Sequence, residues 1–271
     1  MSTSDTFKAE EINQHIVSWL RDYATNAKVK GFVVGISGGI DSAVTSLLCA
    51  QTGFPTLCVE MPIHQAPTHL SRAREHITML TGRFTNVSEA IADLTPVFDT
   101  FKENVPTSND QAQVDLTLAN TRARLRMATL YYFAGLNNAL VAGTGNKVED
   151  FGVGFFTKYG DGGVDISPIA DLMKSEVRAL AKYLQVPESI VVAKPTDGLF
   201  GDDRSDEDQL GATYDELEWA MTEVEAGRTV NDFEGRQKEV IEIYIRKNRA
   251  NQHKMTAIPV CTIPLKLRQN Y

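Results

Sequence analysis

The chain has 271 residues, 42% hydrophobic and 23% charged, a balance typical of a globular protein able to bury a core without disulfide or metal staples. Its 27 basic and 35 acidic residues leave a net charge of −8, which argues against nonspecific nucleic-acid binding through a basic surface. No run of about 18 apolar residues occurs and residues 1–10 are polar, so neither a membrane span nor an export signal is expected, and the sequence reads as cytoplasmic.

From the N-terminus, Ile12, Ile16, Trp19 and Leu20 recur at helical spacing within residues 7–23 and predict an amphipathic helix that packs through that face. Residues 31–36 (GFVVGI) form a short valine-rich run bounded by glycine and read as a buried strand. A glycine-rich turn follows, then a helix over 42–51. A second strand is expected at 56–61, closed by Pro62, then a helix over 67–80 and a third strand at 83–87. Residues 106–110 read as a loop between helices, 116–133 as a long helix and 139–143 as another buried strand.

Residues 196–211 read as a loop, because Asp197, Asp202, Asp203, Asp206, Glu207 and Asp208 leave little apolar surface to bury. A solvated loop and a lid ordered by ligand both fit that composition. Two more helices are expected at 214–226 and 233–247, before a basic, proline-punctuated tail. Short apolar strands alternating with helices predict an α/β fold, a doubly wound parallel sheet flanked by helices. The expected organisation is one domain over 1–271 with a helical C-terminal extension. Cys49, Cys58 and Cys261 are odd in number and form no CxxC, so buried free thiols in a reducing compartment are expected.

The sharpest local signal is Ser37-Gly38-Gly39-Ile40-Asp41-Ser42, set between the first strand and the helix after it. Backbone N–H groups at such a junction point outward together and, with the helix dipole, make an anion site. Glycine lets the backbone approach a polyphosphate closely. Asp41 is out of place in an anion site unless a cation lies between it and the phosphate, so it predicts Mg²⁺. The alternative is a plain helix cap, but capping does not require the whole hexapeptide. No GxxxxGK[ST] and no GxGxxG occurs.

SGGIDS resembles the pyrophosphate-binding loop of the N-type ATP pyrophosphatases, which cleave ATP between the α and β phosphates and pass AMP to a substrate oxygen. A second block, Gly143-Thr144-Gly145-Asn146-Lys147-Val148-Glu149, is followed by GFFTKYGDGG at 154–163 and then Asp165. With Lys174, the Lys194-Pro195-Thr196 run and the His253-Lys254 pair, these blocks resemble the ammonia-dependent NAD synthetases over most of the chain.

The resemblance implies a Rossmann-like fold of the adenine nucleotide α-hydrolase type and a reaction. The nicotinate carboxylate of deamido-NAD would attack ATP, and ammonia would then displace AMP from the acyl-adenylate. It implies that Gly35, Ile36, Ser37, Gly38, Gly39, Ile40, Asp41 and Ser42 cradle the ATP phosphates, with Thr144, Lys174 and Thr196 also on ATP. Asp41 and Lys174 would act in the chemical step, and Asp41 and Glu149 would hold Mg²⁺. Arg124, Lys158, Asp165, His253 and Lys254 would bind deamido-NAD. A homodimer is implied, for which the N-terminal helix and the helix from Leu116 offer interface material, with neither nucleic acid nor membrane as partner.

Arg122, Arg124 and Arg126 alternate along one helix and cannot all face one way. His64, His69 and His76 form no metal spacing and read as structural. Phe155, Phe156 and Tyr159 are either core or a wall for the nicotinate ring. Two features depart from the family pattern. Ile40 stands where many members have glutamine, and Glu149 to Phe155 is one residue longer than the commonest spacing, which leaves Asp150 as a substitute ligand.

The chain is too short to carry a thiol-dependent glutaminase beside this domain, so free ammonia is the expected nitrogen donor, a separate glutaminase subunit being the alternative. A tRNA-thiolating relative would show a basic face or a zinc-binding cysteine set, and neither is present. A non-catalytic nucleotide sensor would not need paired carboxylates with a lysine set.

Overall fold

A computed structural model describes residues 7–196 and 205–268. Helix α1 (Ala9–Ala27) precedes β1 (Gly31–Gly35), α2 (Ile40–Gln51), β2 (Thr56–Glu60), α3 (Pro67–Arg83) and β3 (Val87–Ile91). The chain continues through α4 (Thr95–Asn104), α5 (Gln111–Asn137), β4 (Ala139–Val141) and a π-helical turn (Val148–Val153). Then come α6 (Lys174–Tyr183), α7 (Glu188–Val191), α8 (Asp206–Leu210), α9 (Tyr214–Glu225) and α10 (Gly235–Met255).

The four strands are parallel in the order β3-β2-β1-β4, with Val33 opposite both Leu57 and Val141. Helices cover both faces. Ile16, Leu20, Leu47, Leu48, Ile77 and Leu180 of α1, α2, α3 and α6 pack on Val34 and Cys58, while Phe98 and Ala134 of α4 and α5 meet Val33, Val59 and Val141. Phe32, Val33 and Val34 are therefore buried in succession, the mark of a parallel strand covered on both faces. Each such side chain contributes about 1.5–3 kcal/mol on burial. The order reverses at β1, so a crevice opens at the carboxyl ends of β1 and β4, where doubly wound sheets bind ligands.

A third core lies outside the sheet. Tyr214, Leu217 and Met221 of α9 pack with Val240, Ile241 and Tyr244 of α10 against Val148 and Val153 of the π-helical turn. The C-terminal helices are thereby joined to the segment that carries Glu149.

The architecture is the expected doubly wound α/β sheet, with four local corrections. The third strand occupies Val87–Ile91 rather than 83–87, because α3 continues to Arg83 and Phe84 closes it with an extended backbone. At the sheet edge β3 is largely exposed, so its polar Ser88 and Glu89 gave no strand pattern. Within the acidic stretch 196–211, Asp206–Leu210 form a helix. Ser205 caps it, its Oγ accepting from the Asp208 N–H at 3.1 Å. Asp197, Asp202 and Asp203 lie outside the described residues.

Trp19 is exposed while Val17 is buried, because the face of α1 against the core runs through Ile16, Val17 and Leu20. Cys261 is exposed, unlike the buried thiols of Cys49 and Cys58, because the tail that carries it leaves the core.

Candidate active site

Residues 37–42 join β1 to α2 at the crevice. The Ser37 N–H donates to Ser42 Oγ (3.3 Å), the Gly39 N–H donates to Ser37 Oγ (3.2 Å), and Ser42 Oγ donates back to Gly39 O (2.9 Å). These bonds shape the turn. Gly38 has φ of +81°, and a Cβ there would lie 2.6 Å from His69 O, so glycine is required both for the backbone angle and for the approach of α3. Arg72 of α3 donates from Nε to Gly38 O at 3.2 Å and locks the loop from outside.

Asp41, in the first turn of α2, places Oδ2 2.6 Å from Lys174 Nζ. The same ammonium lies 3.1 Å from Glu149 Oε1. Lys174 is 2% exposed. Burial opposes its charge, but the Asp41 and Glu149 carboxylates outweigh that cost and raise its pKa.

Asn146, fully buried, orients both acids. Its Nδ2 donates to Asp41 Oδ1 (3.2 Å), and its Oδ1 accepts the Glu149 N–H (3.2 Å). The Tyr214 hydroxyl donates to Glu149 Oε1 at 2.5 Å.

The segment from Glu149 to Phe155 runs through the π-helical turn, which is wider than an α-helical one. In that turn Glu149 faces the crevice, whereas the Asp150 carboxylate lies against Gly145, where an added Cβ would meet Asp150 Oδ1. Burial first, then Glu149, Asp161 and Asp41, push the Asp150 pKa up to about 8.

Gly35, Ile36, Ser37, Gly38, Gly39, Ile40, Asp41, Ser42, Thr144, Glu149, Lys174 and Thr196 all line one cavity of about 280 Å³. The five residues assigned to the dinucleotide line none of it. Four of them gather around residues 154–158. Arg124 Nη2 donates to Lys158 O (3.4 Å), Lys158 Nζ to His253 O (2.5 Å), and Lys254 Nζ to Gly154 O and Phe156 O (2.7 and 2.8 Å). Asp165 stands apart beside β4, accepting from the Tyr131 hydroxyl (3.0 Å) and the Val141 N–H (2.8 Å).

The three arginines of α5 diverge. Arg122 lies 4.2 Å from the Phe98 ring centroid, Arg124 reaches Lys158, and Arg126 lines the cavity while donating to Met61 O (3.1 Å) and Gln65 Oε1 (2.8 Å). Of the aromatic residues, Phe155 lines the cavity, Phe156 lies under Lys254, and Tyr159 is exposed. Among the histidines, His76 is buried with Nε2 2.8 Å from Ser46 Oγ, His64 pairs with Asp99 at the surface, and His69 lines the cavity.

Sequence reasoning gave no role to Arg72, Arg126, Asn146, Asp161 or Tyr214. Asn146 and Asp161 lie inside the two quoted motifs, so that signal was present. Arg72 and Tyr214 carry none. Glu60, at the end of β2, also lines the cavity. It is 2% exposed and neither carboxylate oxygen accepts a hydrogen bond among the described residues, although Arg74 Nε lies 3.6 Å from Oε2.

Asp41 and Glu149 converge on one nitrogen atom and offer hard oxygen donors, a set that fits Mg²⁺. The described residues hold no group of three His, Cys, Asp or Glu able to bind a metal by themselves. Such a site suits an ion whose remaining ligands are phosphate oxygens and water.

A family model described as NAD synthase matches residues 12–258. The NH(3)-dependent NAD(+) synthetase of Carboxydothermus hydrogenoformans is 36% identical over 247 residues, covering 90% of this chain and 94% of that protein. The structure of NMN synthetase from Francisella tularensis superposes with a TM-score of 0.82 and 32% identity, over 95% of this chain and all of that one. A glutamine-dependent NAD+ synthetase from Acinetobacter baumannii aligns at 26% identity with a TM-score of 0.61, over 93% of this chain but only 47% of that chain.

Proposed function

Because the chain belongs to the NAD synthase family, we propose that it amidates the nicotinate carboxylate of deamido-NAD with ammonia at the expense of ATP, giving NAD, AMP and pyrophosphate. It is an enzyme, a ligase forming a C–N bond, and ATP is its co-substrate. The observation that carries the reading is the meeting, in one cavity, of the phosphate loop with Asp41, Glu149, Lys174, Thr144 and Thr196.

In the first step a nicotinate carboxylate oxygen attacks the α-phosphorus and the bond to the β-phosphate breaks, so pyrophosphate leaves and an acyl-adenylate remains. N–H groups of residues 37–42 other than those of Ser37 and Gly39, together with the α2 dipole, bind phosphate oxygens. Lys174 faces the charge that develops as pyrophosphate departs, and its paired carboxylates keep it protonated. In the second step ammonia attacks the acyl carbon, loses a proton and expels AMP. No side-chain nucleophile takes part, and positioning carries the rate.

Asp41 and Glu149 would hold Mg²⁺, which when bound neutralises phosphate charge. Arg124, Lys158, Asp165, His253 and Lys254 would bind the dinucleotide outside the cavity. Ammonia as nitrogen donor is supported by end-to-end similarity to ammonia-dependent relatives, whereas a glutamine-dependent enzyme is matched over about half its length.

The chain would act as one domain with a helical extension over 1–271, in the cytoplasm. No helix among the described residues is long and apolar enough to cross a membrane. A homodimer is supported by the exposed apolar side chains of Ile91, Val97, Phe101, Leu116, Tyr132 and Leu136 on β3, α4 and α5.

A second reading, amidation of nicotinate mononucleotide to NMN, is favoured by the TM-score of 0.82 with an NMN synthetase. Pyrophosphate release from Mg-ATP, measured with deamido-NAD, with the mononucleotide and with neither, then with ammonium or glutamine, tests both. Release that needs deamido-NAD, with NAD formed from ammonium alone, is the expected result. Cleavage only with the mononucleotide selects the second reading. ATP left untouched, or cleaved only with another carboxylate, overturns both.

A further inference from the structure

We propose that α9 is a positioning element of the active site, in which Tyr214 and Glu218 hold Glu149 and Lys174 in place for adenylation, an inference that rests on the function proposed above. The two residues are four apart on the helix and share a face. Tyr214 is 0% exposed, and its hydroxyl ends on Glu149 Oε1 rather than on backbone or solvent. Lys174 Nζ lies 4.7 Å from the centre of the same ring. One side chain therefore touches both the carboxylate and the ammonium of the buried pair.

Glu218 works on the other side of Lys174. Its carboxylate accepts from the N–H (2.8 Å) and the Oγ (2.6 Å) of Ser175, the residue after Lys174. A carboxylate across the first turn of α6 satisfies donors with no partner inside the helix and interacts favourably with the helix dipole. It thereby fixes the turn from which Lys174 reaches Asp41 and Glu149.

Tyr214 is also joined to the rim of the cavity. Its N–H donates to Glu207 Oε1 (3.0 Å), and its hydroxyl lies 3.3 Å from Asp206 Oδ2. The Asp206 N–H donates to Pro195 O (3.1 Å), next to Thr196. Packing alone would be served by phenylalanine at 214. The shorter of the two contacts of the hydroxyl is the one to Glu149.

The experiment uses the full chain with Tyr214→Phe, Glu218→Gln and both. Each single variant is expected to unfold cooperatively and to lose about 10–100-fold in kcat, the usual cost of removing an outer partner of a ligand. KM for ATP should change little, since neither side chain touches substrate. The Mg²⁺ concentration for half-maximal rate should rise roughly tenfold. In variant crystal structures Glu149 should leave Lys174. The double variant should be barely worse than the weaker single, because both act on one unit.

If both singles fold and keep the parental kcat and Mg²⁺ dependence, with Glu149 still on Lys174, the proposal is overturned. Should Tyr214→Phe fail to fold, Glu218→Gln decides by the same readouts. If the parent makes no NAD from deamido-NAD, the functional reading falls, and the Glu149–Lys174 separation in the variant structures still decides the positioning claim.

Discussion

Around the phosphate loop, Asp41, Glu149 and Lys174 meet one another within a single chain, charge against charge, under α9. Around residues 154–158, the cations of Arg124, Lys158 and Lys254 end on backbone carbonyls. A carbonyl accepts a hydrogen bond without cancelling the charge. The first region thus has its ammonium paired with carboxylates before substrate arrives. In the second, on the function proposed above, the same cations would meet the phosphates of the dinucleotide. Lys254 shows the cost: burial and neighbouring Lys247 hold its pKa below the usual lysine value, against the opposing pull of Asp161. The contrast teaches that one part is preorganised by its own folding, while the other, on the proposed function, would be completed by ligand.

The hardest blow to the first region is Lys174→Met, which leaves two carboxylates facing each other without their cation. Removing one partner of a buried pair costs about 3–5 kcal/mol. Urea unfolding should show that loss, and NAD formation should fall to background. Nearly as large, Asp41→Asn should lower kcat by about 10²–10³-fold while the chain still folds, because the carboxylate that would hold a cation against the reacting phosphates is lost. Full Mg²⁺-dependent turnover in that variant would remove Asp41 from the site.

Acid sharpens the comparison next, through the packing that supports the phosphate loop. His76 on α3 is fully buried against Ser46 on α2, and burial lowers its pKa from 6.5 to about 4. The unfolded chain then binds more protons than the folded one between those values. Stability is present above about pH 6.5 and declines as pH falls toward 4, by roughly 3 kcal/mol at about 1.4 kcal/mol per unit. Urea midpoints from pH 7 to 4.5 should show this slope, and His76→Gln should flatten it. An unchanged slope assigns acid sensitivity elsewhere.

Arg124→Ala should do least. It should raise KM for the dinucleotide by about tenfold, the equivalent of one exposed charge-assisted hydrogen bond, with kcat nearly intact. A collapse of kcat to the level of Asp41→Asn would mean that the two regions are not separately organised.

Legibility followed the same division. The twelve residues named for ATP and the metal all line the cavity: eight run from the end of β1 through the loop into α2, a strand–turn–helix junction encoded within a few consecutive residues, and Thr144, Glu149, Lys174 and Thr196 were named from family resemblance. The arginine of α5 on the cavity, Arg126, was not distinguished from Arg124 or Arg122. Helical spacing tells which residues share a face, and it does not tell which face meets the sheet. Tyr214 was passed over because a lone tyrosine in an amphipathic helix looks like core, and it is core as well. The third strand was misplaced because an exposed edge strand has no buried face to imprint an apolar pattern.

By itself, then, the sequence determined the doubly wound architecture and the glycine-rich turn between β1 and α2 with Asp41 inside it, because backbone geometry, glycine placement and hydrophobic runs are local properties. Only the tertiary structure decided that Lys174 closes on Asp41 and Glu149, that Val148–Val153 form a π-helical turn, and that α9 reaches under both. Those contacts join residues 25 to 133 positions apart. No period or spacing records such partners, which are chosen only when separate helices pack on one sheet.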